Sequence, residues 1–119
     1  MLRRRRAESR GRRAEQMAAA AYLLRGYQVL GMRFRTRGGE VDLVVRKGRL
    51  VAFVEVKMRA DAGEAILAVT PANRRRIECA AAVFLARRPQ LADFSVRYDI
   101  AAVSGLSVSL LRDAWRANA

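Results

Sequence analysis

The chain has 119 residues, a formal net charge of +13 and 52% hydrophobic residues, which predict one globular domain with a polyanionic partner. It has one cysteine and no histidine, which excludes a disulfide framework, a thiol or imidazole zinc site and a histidine general base. No apolar run approaches the ~20 residues of a membrane span, and the arginine-rich start lacks the apolar core of a secretory signal. We therefore expect a cytoplasmic protein with no membrane partner.

The first part of the chain predicts a basic arm followed by a helix. Residues 1–8 are rich in arginine and are expected to form a flexible arm, so that residues 9–119 make up the single domain. Helical propensity runs over 9–25, where Ser9 can cap the start and Gly26 can end the helix.

Five strands and a second helix are predicted after this point. Thr70 and Pro71 mark the start of the helix, as N-cap and first helical residue, and Pro89 ends it. The predicted strands cover 27–30, 40–45, 50–57, 95–103 and 107–111. The remaining segments are a basic stretch at 33–39, a hairpin connection at 46–49, a polar loop at 59–64, an unassigned segment at 65–69 and a tail at 113–119. The order α-β-β-β-α-β-β, with a helix long enough to cross between parallel strands, predicts an α/β fold with a mixed five-stranded sheet flanked by helices.

Lys57 is the most informative residue of the sequence. The chain carries 22 Arg and only 2 Lys, and one of those lysines follows Glu55 by two residues in the apolar strand 50–57. Lys is a compact cation with a tunable pKa, whereas Arg is a permanently charged fork. A charged pair inside an apolar strand is costly unless it is paired or binds something.

Hairpin pairing predicts that Asp42 joins this pair. Closing the hairpin so that Arg46 faces Arg49 places Asp42 opposite Phe53 and makes Asp42 a diagonal neighbour of Glu55 on one face. Two such carboxylates repel each other unless they share a cation, and oxygen ligands favour Mg²⁺ or Mn²⁺. The sequence thus indicates a metal-dependent phosphodiester site with a catalytic Lys57, against the alternative of a solvated hairpin with a Glu/Lys pair.

Several other residues each allow a functional and a structural interpretation. Glu15 either points along the packed side of the first helix or is a solvated partner of Arg12 and Arg13. The arginines that could bind phosphates, or could be solvated, are Arg12, Arg13, Arg33, Arg35, Arg37 and Arg59. For Asp99 we predict a structural pairing with an arginine, and for Trp115 and Phe94 we predict packing rather than stacking on bases.

The motifs resemble two related groups of proteins. Asp42 followed by Glu55-x-Lys57 resembles the PD-(D/E)xK nucleases of restriction-endonuclease-like fold. More of the chain resembles the YraN-like family of small bacterial proteins, which are similar to archaeal Holliday-junction resolvases. The matching stretches, which span nearly all of 11–103, are Gly11-x-x-Ala14-Glu15-x-x-Ala18, Tyr22-Leu23, Gly26-Tyr27, Gly39-Glu40-Val41-Asp42-Leu43, Phe53-Val54-Glu55-Val56-Lys57-x-Arg59, Arg74 to Arg76 and Arg97-Tyr98-Asp99. Val41 stands where the general motif has Pro, and Arg33 where the YraN-like family is expected to have Asn.

The resemblance implies a three-layer nuclease-like core and a specific site. It implies a metal ion held by Asp42, Glu55 and the Val56 carbonyl, with Lys57 catalytic and Glu15 assisting. The expected function is a Mg²⁺- or Mn²⁺-dependent endonuclease acting on branched DNA, with a homodimer as a possible assembly. The alternative is a non-catalytic nucleic-acid-binding protein of a repair, recombination or uptake assembly.

Overall fold

The computed structural model describes residues 2–117, with side chains from residue 11 onward. The elements are α1 (Leu2–Leu24), β1 (Gln28–Thr36), β2 (Gly39–Lys47), β3 (Leu50–Met58), α2 (Ala62–Ala68), α3 (Pro71–Ala86), a short 3₁₀ turn (Pro89–Leu91), β4 (Ser95–Ser104) and β5 (Ser107–Trp115). Helix α1 begins at Leu2, not at Ser9 as predicted. Met1 and the side chains of 2–10 lie outside the described residues, so the flexibility of the basic arm stays a prediction.

The five strands form one mixed sheet in the order β1-β2-β3-β4-β5. Only β3 and β4 run parallel, and the chain crosses between them through α2 and α3. The predicted fold class is confirmed. Within residues 2–117, no helix is long and apolar enough to cross a membrane.

Three segments differ from the predicted boundaries. The basic stretch after residue 32 continues strand β1 to Thr36, the unassigned segment belongs to α2, and the predicted tail continues β5 to Trp115. Asp61 caps α2 by accepting a hydrogen bond from the Glu64 amide at 2.9 Å. The predicted cap of α3 is confirmed, because the Thr70 side chain accepts from the Asn73 amide.

Helices cover both faces of the sheet and bury two apolar clusters. The α1-side cluster consists of Ala18, Ala19, Tyr22, Tyr27, Leu43, Val45, Ala52, Val54 and Ala101. The α3-side cluster consists of Val41, Val44, Val51, Phe53, Ala65, Val69, Ile77, Ala80, Ala81, Phe84, Leu91, Ile100, Ala102 and Trp115. Burial on both faces explains why β3 has an apolar run instead of strict alternation.

A buried polar network ties α1 to the sheet. Asp99 is fully buried and accepts two hydrogen bonds from Arg97, both at 2.8 Å, and one from the Tyr22 hydroxyl at 2.7 Å. The predicted structural role of Asp99 is confirmed. The predicted packing of Trp115 is confirmed as well, since its ring stacks on Tyr98 with centroids 5.2 Å apart.

Gly39 allows the β1–β2 hairpin to pack closely on α3. A Cβ atom at Gly39 would lie 1.9 Å from the main-chain oxygen of Arg76, and helix backbone has little freedom to yield. We expect Gly39→Ala to destabilise the fold by at least about 1–3 kcal/mol, the usual range for overpacking. Thermal and urea unfolding of the purified variant measure this effect.

Gly11→Ala is the matched control for this substitution. Gly11 lies inside α1, and the nearest atom to its added Cβ would be 3.8 Å away. Because Ala is the better helix former by roughly 0.5–1 kcal/mol, this variant should be slightly more stable than the wild type. Equal stability of Gly39→Ala and the wild type would contradict the tight hairpin–helix contact.

Candidate functional site

The β2–β3 hairpin has a different register from the one predicted. Lys47 pairs with Leu50 and Leu43 pairs with Val54, so the connection is the two-residue turn Gly48-Arg49, whose glycine has φ +59°. The prediction was wrong by two positions because it placed Arg46 opposite Arg49. Strand faces repeat every two residues, so this shift does not separate the carboxylates. The last pair of the ladder is Leu43–Val54, and the next residue on each strand, Asp42 and Glu55, lies at its end, where the two carboxyls are within hydrogen-bonding reach of each other.

Asp42 occupies a break in the strand alternation. Val41 and Val44 both pack in the α3-side cluster, whereas Leu43 packs in the α1-side cluster. Oδ2 of Asp42 accepts a hydrogen bond from the main-chain N–H of Val56 at 2.8 Å. The Asp42 carboxylate therefore lies where the β2–β3 ladder ends, next to the start of the Glu55–Lys57 segment.

Glu55 is a buried carboxyl with a nearby ammonium group. It is 7% exposed, and its Oε2 lies 3.7 Å from Nζ of Lys57. Burial raises the pKa of Glu55 well above its usual value, and the hydrogen bond and negative charge of Asp42 raise it further, while Lys57 lowers it. The two carboxyls therefore disfavour being ionised together, which a divalent cation between them would reverse.

Glu15 faces the same region from helix α1. It is 6% exposed, and its Oε1 accepts a hydrogen bond from Nε of Arg33 at 2.5 Å. Burial raises the pKa of Glu15, whereas the hydrogen bond from Arg33 lowers it. The interpretation of Glu15 as a residue on the packed side is confirmed, and its partner is Arg33 rather than Arg12 or Arg13.

A small polar cleft joins Glu15 and Asp42, whereas Glu55 and Lys57 do not line it. Its volume is about 180 Å³, and its lining residues are Glu15, Arg33, Arg35, Glu40, Val41 and Asp42. Arg35 pairs with Glu40 at 3.3 Å on the exposed side of the cleft. The sequence analysis did not predict Glu40 and Val41 as lining residues. Their positions next to Asp42 on β2 could have indicated that they line the same cleft. The cleft holds three carboxylates and two guanidinium groups, which are the side-chain types that bind cations and phosphates respectively.

The other arginines with a predicted role in phosphate binding do not enter this cleft. Arg12, Arg13, Arg37 and Arg59 are exposed, and Arg59 donates to the Met58 carbonyl at 2.8 Å. Their contacts with nucleic acid stay predictions.

Asp42 and Glu55 form an oxygen donor set that fits a hard divalent cation. Among residues 11–117, no three His, Cys, Asp or Glu side chains are placed to hold one metal ion. Mg²⁺ nevertheless binds in proteins through one or two carboxylates, with water and substrate phosphates completing its octahedron. The partly exposed Asp42 and the buried Glu55, with the main-chain oxygen of Val56, are donors of the kind that this pattern uses. Glu15 is held by Arg33, so a role for it toward the ion stays a prediction.

Comparison with known proteins gives a family match over most of the chain. The sequence profile of the uncharacterised protein family UPF0102 matches residues 14–103. A UPF0102 protein of Chelativorans sp. is 50% identical over 86% of this chain and 82% of its own length. One of Paramagnetospirillum magneticum is 50% identical, with 92% and 89% covered. One of Acidiphilium cryptum is 45% identical, with 97% and 90% covered. The matched range contains Glu15, Asp42, Glu55 and Lys57.

Proposed function

The chain belongs to UPF0102, the YraN-like family that its motifs resemble, and we propose that it is a divalent-metal-dependent DNA endonuclease acting in the cytoplasm on branched DNA. The observation that carries this proposal is the pairing of the buried Glu55 with the partly exposed Asp42, with Nζ of Lys57 3.7 Å from Oε2 of Glu55. The mixed sheet with helices on both faces agrees with the restriction-endonuclease-like fold of the PD-(D/E)xK nucleases. The net charge of +13 favours a polyanionic substrate.

Each residue of the site has a distinct task in phosphodiester hydrolysis. Asp42, Glu55 and the Val56 carbonyl would hold Mg²⁺ or Mn²⁺, which supplies Lewis-acid polarisation and a more acidic water when bound. Lys57 donates hydrogen bonds to a phosphate oxygen as negative charge develops there, and it orients the attacking water. Because the chain has no histidine, a carboxylate, Lys57 or solvent must accept the proton. Glu15 and Arg33 line the approach to Asp42.

A panel of DNA substrates tests this proposal directly. The wild type should nick four-way, three-way or flapped DNA in Mg²⁺ or Mn²⁺ and should not do so in EDTA. Asp42→Asn, Glu55→Gln and Lys57→Ala should each lower cleavage by at least about 10²-fold, the low end for one catalytic group. Arg49→Gln, at the opposite end of the hairpin in an exposed ion pair with Asp93, should cleave like the wild type. Binding without cleavage of any substrate would exclude the catalytic part of the proposal.

The alternative is a non-catalytic DNA-binding protein in a repair, recombination or uptake assembly. It is favoured by the fact that all three carboxylates of the cleft already have partners: Val56 N–H for Asp42, Arg33 for Glu15 and Arg35 for Glu40. Such a protein should bind DNA equally well with and without Mg²⁺. Its affinity should increase in Asp42→Asn, because a repulsive charge is removed, and should fall with salt by a log–log slope near −0.9 per phosphate neutralised. An endonuclease should instead show metal-dependent binding that Asp42→Asn weakens.

A further inference from the structure

The turn between β4 and β5 presents an apolar side chain to solvent. Ser104 pairs with Ser107, which leaves Gly105 and Leu106 as the two turn residues, with Gly105 at φ +58°. Leu106 is 96% exposed. A hairpin turn can be made from polar residues, so a leucine at its tip has no structural task here.

This turn lies at the same end of the sheet as the candidate site. Strands β3 and β4 are parallel, and their register pairs Lys57 with Ala102 and Met58 with Val103. Leu106 follows Ala102 by four residues, so it lies at most roughly 13 Å farther along the strand direction, at about 3.3 Å per residue. The main-chain N–H of Arg59 donates to the Val103 carbonyl at 3.2 Å, which fixes the segment after Lys57 against β4.

Other exposed apolar side chains lie around this end. On α2, which contacts β3, β4 and β5, Leu67 is 83% and Ile66 40% exposed, and Met58 at the end of β3 is 45% exposed. We call Met58, Ile66, Leu67 and Leu106 the apolar rim. Beside it lies an apolar cavity of about 200 Å³, lined by Arg13, Ala14, Met17, Met58, Val103 and Gly105. Single exposed leucines need no explanation, but four large apolar side chains at one end of the sheet do.

We propose that the apolar rim is a wedge that inserts between bases at a DNA branch point. This inference rests on the proposed function and adds the feature that selects the substrate. Apolar side chains that insert at a base step unstack it, and this costs least where stacking is already interrupted. The backbone charge of DNA is the same in every duplex, so the arginines alone cannot distinguish a branch from linear DNA.

DNA fits this rim better than a second copy of the chain does. Each copy carries a net charge of +13, and Arg13 and the exposed Arg59 border the rim. Apposing two copies through this end would bring those like charges together. A DNA branch presents base faces to the rim and phosphates to the arginines.

The test compares serine variants of strongly exposed leucines at the two ends of the sheet. Leu67→Ser/Leu106→Ser removes the two most exposed side chains of the rim. The control is Leu24→Ser, which changes a leucine that is 88% exposed at the opposite end, where Nζ of Lys47 in the β2–β3 hairpin binds the Arg25 carbonyl. Affinities for a four-way junction and for linear duplex of equal length are measured in CaCl₂ and in EDTA, so that no cleavage is needed. A 2-aminopurine base at the branch reports unstacking.

In the double variant, the ratio of junction affinity to duplex affinity should fall at least roughly tenfold, which is the low end for removing one leucine from an apolar contact. Its duplex affinity and salt dependence should match the wild type, its 2-aminopurine signal should fall, and Leu24→Ser should behave like the wild type. Unchanged junction preference with intact binding would overturn the wedge and leave the proposed function in place. Failure of the wild type to bind any DNA would overturn both. A dimer in sedimentation that the double variant breaks, with unchanged junction preference, would assign the rim to self-association instead.

Discussion

Replacing Lys57 by Arg should lower metal-dependent cleavage by at least roughly 10²-fold, the low end of what one positioned proton-transfer group contributes. Nζ of Lys57 lies 3.7 Å from Oε2 of Glu55, and the side chain is 22% exposed. A guanidinium is wider than an ammonium, so it would crowd the cation position between Asp42 and Glu55. It also cannot release a proton at working pH. Thermal stability should stay near that of the wild type, because the charge and the packing methylenes are retained.

Lys47→Arg is the internal control, because Lys47 is the other of the 2 lysines in the chain. Nζ of Lys47 donates to the Arg25 carbonyl at 2.7 Å on the exposed surface, and an arginine can make the same contact. Initial cleavage rates at saturating Mg²⁺ and melting temperatures compare the two variants. A wild-type rate for Lys57→Arg would make Lys57 a structural cation and would remove the main support for catalysis.

The fold was predictable where local rules and burial agree. Thr70 and Pro71 specify the start of α3 by capping and by the fixed φ of proline, and the apolar run of β3 reflects burial on both faces. The end of β1 was missed because three arginines in five residues resemble a solvated loop. Strand β1 lies at the edge of the sheet, where arginines can alternate with residues that face the core. Phe34 is such a core-facing residue, because its ring packs on Phe84 with centroids 5.1 Å apart.

The end of β5 could not be predicted from local sequence. Trp115 is buried by contacts distant in the chain, including the hydrogen bond from its Nε1 to Glu78 at 2.9 Å. The backbone of Asp113 has φ +56°, and its N–H donates to the buried Asp99 at 3.0 Å. Tertiary hydrogen bonding of this kind has no pattern that periodicity can detect.

The candidate site was predictable in composition and only partly in geometry. Residue spacing in a hairpin brings Asp42 to Glu55 for either register, because a shift of two preserves the strand face. The sequence could not identify Arg33 as the partner of Glu15, because this pairing depends on how α1 packs on β1 and the chain offers many other arginines. The left-handed backbone conformation of Arg33, with φ +53°, could not be predicted from the local sequence either, because such φ values favour glycine or asparagine.

The charge state of Glu55 leads to a stability prediction that is independent of any cleavage assay. In EDTA at neutral pH, Glu55→Gln should be more stable than the wild type, because it removes a carboxyl that burial and Asp42 disfavour in its ionised form. Mg²⁺ should raise the melting temperature of the wild type but not of the variant, because ligand binding to the folded state alone adds about 2.7 kcal/mol at a hundred times Kd.

The pH dependence has a defined sign. The pKa of Glu55 in the folded state is raised above its ordinary value of 4.5, so the folded protein keeps a proton that the unfolded chain releases. The free energy of unfolding of the wild type therefore falls as pH rises from about 4.5 toward the folded-state pKa, and the advantage of Glu55→Gln grows over the same window. Urea unfolding at pH 5, 7 and 8.5 in EDTA measures this difference.

Asp93→Asn, which neutralises a carboxylate that is 79% exposed, is the control and should show almost none of this pH-dependent difference. A variant that is less stable than the wild type at every pH would mean that Glu55 is stabilised as an anion by its surroundings. The Asp42–Glu55 pair would then be a satisfied structural pair with no need of a divalent cation.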